Sequence, residues 1–193
     1  MDLVLPLPTV PETRRLSNAV LGTAIFIAAE TMFFAALISA HTIAKATALG
    51  GVWPPPGQPR LPVERTAVNT AALLLSGVLL WTGNRLMPRF SDTAKRCITW
   101  AILLGAAFVS LQGVEWVRLL REGLTMTSSS HGGFFYLIIG AHALHVVGGL
   151  IALTWAYWGT LRRTLAPETF TAARFFWYFV VLLWPVLYWR VYL

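Results

Sequence analysis

Charge is scarce in this chain. Lys, Arg, Asp and Glu make up 12% of its 193 residues, against roughly 25% in an ordinary soluble domain. Apolar residues reach 56%, with nine Trp and eleven Phe among them, and the mean hydropathy is +0.64. A water-soluble core of this size cannot hide that much apolar surface. Soluble enzymes and soluble binding modules are therefore excluded, and a polytopic membrane protein is expected. Cysteine is nearly missing too. Cys97 stands alone, so there is no intrachain disulfide and no thiolate metal cluster.

The net charge of +7 raises the question of nucleic acid. The basic residues punctuate apolar segments and form no patch interleaved with aromatics, so no nucleic-acid partner is expected. The opening stretch "MDLVLPLPTVPETRRLSNAV" has no basic start, no apolar centre and no small-residue cleavage site. It reads as a short cytoplasmic tail over 1–17, not a signal peptide.

A membrane-spanning helix needs about 20 mostly apolar residues. Five stretches qualify: about 18–42, 66–87, 96–118, 132–158 and 173–192. Backbone groups in lipid must pair within their own segment, so these are helices. The fold class is all-α, a five-helix membrane bundle forming one domain over 18–193, with no soluble domain and no repeat. The longest connection, 43–65, contains "GGVWPPPGQPRLP", where consecutive prolines stop any helix. With the N-terminus inside, nine Lys and Arg fall on inner segments and six on outer ones. That excess favours an N-in, C-out orientation. Seven tryptophans, Trp53, Trp81, Trp116, Trp155, Trp158, Trp184 and Trp189, fall near span ends, as interfacial aromatics do.

Two carboxylates lie within spans. Glu30 sits near the middle of the first, and Glu115 toward the outer end of the third, three residues after Gln112. A charge at the bilayer centre costs at least ~2.5–3.5 kcal/mol on insertion scales, so such a residue is a functional candidate. Glu30 is read either as a neutral carboxyl hydrogen-bonded inside the bundle or as a proton-handling group or subunit contact. Glu115, beside Trp116, is read as a structural anchor or a proton-handling group.

The run "IGAHALHVVGGL" places His142 and His145 three residues apart, about 60° apart around a helix and so on one broad face. A metal centre needs three or four ligands, or a second histidine for haem. Only His41, His131 and Cys97 remain as ordinary donors, and a mixed site with Glu30 and Glu115 would have to span different depths. No metal site is expected. The small residues Gly140, Ala141, Ala143, Gly148 and Gly149 admit a close helix neighbour, so both histidines are read as polar contacts to lipid or to a partner helix.

Four stretches, in order, resemble the subunit III family of haem–copper terminal oxidases, cytochrome c oxidase subunit III. They are "FIAAETMFFAAL" with Glu30, "WPPPGQPRLP" followed by "NTAALLLSG", "LLGAAFVSLQGVEW" with Gln112 and Glu115, and "FFYLIIGAHALHVVGGL". Longer members have seven helices, and this chain resembles the short form without the first two. In the last helix the family usually carries a Tyr-Trp-His-Phe-Val-Asp run. Here Tyr178 stands where His is usual and Val181 where Asp is usual.

The resemblance implies an accessory subunit in aerobic respiration, non-catalytic by itself and without its own haem or copper, which belong to the catalytic subunit. It implies oxidase subunits I and II and structural phospholipids as partners, with a larger supercomplex as an extension, in a prokaryotic plasma membrane. It implies support of assembly and of sustained proton uptake. Glu30 and Glu115 are the proton-handling candidates, and His142, His145, Gln112 and Trp53 the lipid or subunit contacts. A quinol oxidase subunit, a nitric oxide reductase accessory protein and a stand-alone proton or solute transporter are the alternatives. Against the transporter stands the lack of an inverted repeat.

Overall fold

A computed structural model describes residues 17–48, 52–87 and 91–193. The tail expected over 1–17 lies outside these residues except for Ser17, as do Arg14, Arg15 and Arg89 of the charge count. The described residues form five long helices: α1 (Asn18–Ala46), α2 (Val63–Leu86), α3 (Asp92–Arg121), α4 (Ser130–Leu161) and α5 (Pro167–Leu187). All five are long and apolar enough to cross a membrane.

α1, α3 and α4 run beyond their apolar stretches, whereas α2 and α5 begin earlier than expected and end short of residues 87 and 192. Ser17, Ser91 and Ser129 cap α1, α3 and α4, each accepting a bond from a backbone N–H three residues on. Pro167 opens α5, where its missing N–H costs nothing. Pro185 withdraws a donor near the other end of α5, and the chain widens into a π turn over Tyr188–Tyr192. Hydroxyls facing lipid are satisfied within their own helix. Thr23, Thr31, Thr82 and Thr154 each donate to the carbonyl four residues back.

Glycines set the approach of α2, α3 and α5 at three points. A Cβ on Gly105 would lie 2.7 Å from the Trp177 ring, one on Gly83 2.7 Å from Ile98, and one on Gly77 2.9 Å from Val181. Buried polar side chains lock the same helices. Trp177 Nε1 donates to Ser76 Oγ at 3.0 Å, and Ser76 Oγ donates to the Ala101 carbonyl at 2.9 Å. Trp184 Nε1 donates to Thr70 Oγ1 at 2.8 Å. With little hydrophobic drive between helices in lipid, small residues and shared hydrogen bonds carry the packing.

Trp184 corrects the belt reading, because it is fully buried in this core. Trp81, Trp155, Trp158 and Trp189 do lie exposed on the outer surface. α1 is the peripheral helix, with only Phe34 and His41 buried. Its outer side presents Ile25, Met32 and Ile43.

Candidate functional site

Glu30 of α1 and His145 of α4 face each other within the spans. Glu30 Oε2 lies 2.9 Å from His145 Nε2, and both side chains are mostly covered, at 18% and 14% exposure. The other ring nitrogen, Nδ1, lies 2.7 Å from the Ala141 carbonyl. A carbonyl only accepts, so Nδ1 carries a hydrogen and donates it. One further proton is then shared between Nε2 and the carboxyl. It sits on Glu30 in a neutral pair, or on the imidazole in an ion pair. Both arrangements have zero net charge, and the neutral one also avoids the cost of desolvating two ions. Phe26, Phe34 and Phe176 wall the pair, with ring centroids 6.4, 5.4 and 6.1 Å from that of His145.

The two histidines diverge. The 60° between them is enough to send His145 toward α1 and His142 toward α3 and α5. His142 is 1% exposed and stacks on Trp184, centroids 4.9 Å apart and planes at 28°. Among the described residues, neither of its ring nitrogens has a hydrogen-bond partner. Phe34 touches both histidine rings edge-on and, among the described residues, is the only aromatic ring that packs against both. Two of the small residues of α4 serve contacts inside the chain, while a Cβ at Gly148 would meet nothing within 4 Å. A Cβ at Gly149 would meet Phe176 and Trp177 of α5, and one at Gly140 would meet Trp116 of α3.

Gln112 also faces inward, at 5% exposure. Its Nε2 donates to the Tyr192 hydroxyl at 2.9 Å, and its Oε1 accepts from Asn69 Nδ2 at 3.1 Å. Glu115 lies near the end of α3, where Oε1 is 3.4 Å from Nη1 of the exposed Arg65. Glu30, Glu115, His142 and His145 are thus not brought together as one mixed metal site. Glu30 and His145 form one pair, while His142 and Glu115 have separate surroundings.

Trp53, in the connection before α2, stands between two buried histidines that sequence reasoning set aside. Its ring lies 5.6 Å from His41 and 5.3 Å from His131, edge-on to both. Together with Lys45 and Arg60, Trp53 and His131 line a cavity of about 260 Å³ at that end of the bundle. The grouping joins α1, the 47–62 connection and α4, and no local spacing announces it. Asn69 and Tyr192 were missed for the same reason. A run of polar residues on an apolar helix, Thr66, Asn69, Thr70 and Ser76, was the available signal.

The two departures in α5 have different surroundings. Val181 is buried against Gly77, an apolar contact at the position where Asp is usual. The Tyr178 hydroxyl is buried and, among the described residues, has no hydrogen-bond partner, one turn beyond Arg174.

Comparison with known proteins adds the family context. The model of the family described as "Cytochrome c oxidase subunit III" matches residues 14–193. A "Probable cytochrome c oxidase subunit 3" of Nocardia farcinica is 34% identical over 176 residues, covering 89% of this chain and 85% of that protein. A protein of the same description from Mycobacterium leprae is 34% identical over 175 residues, with the same coverages. The "Cytochrome c oxidase subunit 3" of the fish Polypterus ornatipinnis is 35% identical over 182 residues, covering 89% of this chain and 67% of its own longer one.

Proposed function

The chain belongs to the cytochrome c oxidase subunit III family, and on that premise we propose the part its own residues play. It is an accessory subunit of a haem–copper terminal oxidase and an integral membrane protein. It contributes no redox centre; haem and copper reside in the catalytic subunit beside it. It sits in a prokaryotic plasma membrane, N-in and C-out, a reading supported by the nocardial and mycobacterial relatives and by the Lys and Arg distribution.

The observation that carries the proposal is the Glu30–His145 pair. It holds one proton that can move between two atoms 2.9 Å apart without changing the net charge. Giving that proton up leaves one negative charge on the pair until another proton replaces it, so the pair serves as a relay that is reloaded at each use, in a bilayer where an isolated charge is costly. The pair supports sustained proton uptake by the assembled oxidase; it takes no part in oxygen chemistry. Glu115, tied to Arg65 near the helix end, is the anchor.

Two features support phospholipid binding. An apolar groove of about 560 Å³ lies between α1 and α5, lined by residues such as Ile27, Phe179 and Leu183, and suits acyl chains. Lys45 and Arg60 beside Trp53 suit an anionic headgroup. The apolar outer side of α1 is left for the catalytic subunit, subunit I, or for lipid.

Glu30→Gln tests the proposal in the purified, assembled oxidase. Glutamine keeps the shape and a hydrogen bond to His145 but cannot exchange a proton. The expected result is a normal initial rate of oxygen consumption, unchanged haem spectra, and a rate that decays during continuous turnover. A time course that matches the unsubstituted complex throughout would reduce the pair to a structural contact.

A further inference from the structure

Three rings from three segments close the end of the bundle where α1 finishes and α4 begins. Trp53 of the connection before α2 stands edge-on to His41 of α1 and His131 of α4, at 5.6 and 5.3 Å. His41 is edge-on to Phe134 of α4 as well, at 5.7 Å. The two imidazoles are 2% and 3% exposed, and neither nitrogen of His131 has a hydrogen-bond partner among the described residues. Little else holds the connection down. Over 52–62, one side-chain hydrogen bond reaches another segment, from Ser128 Oγ to Gln58 Oε1 at 3.1 Å.

The charges around the rings have one sign. Lys45 of α1 acts on both imidazoles, and Arg190 of the π turn acts on His41. Arg60 of the connection lines the adjoining cavity with Lys45, Trp53 and His131. Tyr192 of the π turn lines it too, its hydroxyl bonded to Gln112. Leu193 also lines it, and no carboxyl group is among the charges acting on either ring. A proton taken up in place would therefore add a positive charge to a buried corner that already has cations beside it and no anion to pair. The Trp53 ring attracts a cation, but it is shared between two imidazoles and replaces the water around neither. Lifting the connection lets water reach both rings, and each then takes up a proton at its ordinary pKa of about 6.5. The closed contact is thus at full strength above that pH. Below it the contact weakens by up to tenfold per pH unit for each imidazole.

We propose that the Trp53 connection is an acid-sensitive latch, closed on α1 and α4 while His41 and His131 are neutral and lifted when they take up protons. The orientation proposed above puts the latch on the outer side of the membrane, where acid would uncover the Lys45–Arg60 cavity. The latch itself rests neither on that orientation nor on the role of the Glu30–His145 pair.

The test uses the full chain in lipid nanodiscs. Leu61→Cys places a thiol on the connection, at a partly buried position that lines the cavity, and Cys97→Ser removes the native one. The labelling rate with an uncharged thiol reagent is divided by that of the denatured chain at the same pH, which gives the fraction of time the connection is lifted. From about pH 7.5 to pH 5.5 that fraction should rise about a hundredfold, tenfold for each imidazole. His41→Phe and His131→Phe each keep a ring beside Trp53, and each should remove a factor of about ten. Either variant serves if the other does not fold. Cys97 of the unsubstituted chain, at the opposite end of the bundle, is the control, and its ratio should stay level. A fraction at Leu61→Cys that does not change with pH would overturn the proposal. So would a rise that both histidine variants keep in full, or one that Cys97 shares, since the whole bundle would then be loosening.

Discussion

Gly105→Ala is expected to destabilise the bundle although it adds one methyl group. The new Cβ would lie 2.7 Å from both Cη2 and Cζ2 of Trp177 and 3.2 Å from Leu150 Cδ1. The Leu150 methyl can rotate away, but the indole cannot. Trp177 is fully buried, and its Nε1 is fixed to Ser76 Oγ at 3.0 Å, which is itself fixed to the Ala101 carbonyl of α3. Overpacking a tight core costs about 1–3 kcal/mol. Displacing the indole far enough to strain its hydrogen bond adds about 1 kcal/mol. Alanine returns roughly 0.8–1.0 kcal/mol through its better helix propensity. The net is a loss of about 1–3 kcal/mol, the overpacking figure itself, since the other two effects nearly cancel. Reversible unfolding in mixed detergent micelles, followed by tryptophan fluorescence, measures it. Gly148→Ala is the control, since a Cβ there meets nothing within 4 Å, and it should be neutral or slightly stabilising. Gly105→Ala combined with Trp177→Phe should cost less than the two changes summed, because the smaller ring makes room. If Gly105→Ala unfolds at the same denaturant fraction as the unsubstituted chain, the indole is not held as described and the reasoning fails.

Ser76→Ala leaves the buried Trp177 N–H without its acceptor and the Ala101 carbonyl without its donor. A loss of about 1–3 kcal/mol is expected in the same unfolding assay, and an unchanged midpoint would contradict the network. Val181→Asp restores the residue usual in the family but buries a carboxyl at a position that packs on Gly77. It should lower stability by several kcal/mol, in the range of other unpaired buried groups (about 3–5 kcal/mol), seen as reduced yield of folded chain after extraction. Normal yield and stability would mean that α2 and α5 can open to admit water.

Composition and apolar run length determined much of this protein. A chain with 12% charge and five stretches of some 20 apolar residues has to cross a membrane as helices, because backbone groups in lipid pair only within a helix or a closed barrel. The intramembrane Glu30 announced itself, since a carboxylate there is too costly to be incidental. The order of four motifs pointed to the family. Partnership was decided only in three dimensions. Helical spacing put His142 and His145 on one broad face but could not say that α4 sits between two neighbours, which splits them. One ring goes to Glu30 and the other to Trp184. Trp184 looked interfacial by position along its span, yet the rotation of α5 turns it into the core. Gln112 and the His41–Trp53–His131 grouping are assembled from segments far apart in sequence. In lipid every helix face is apolar, so hydrophobic periodicity carries little information on which face turns inward. Small residues and shared hydrogen bonds choose that face, and their partners are known only once the helices are packed.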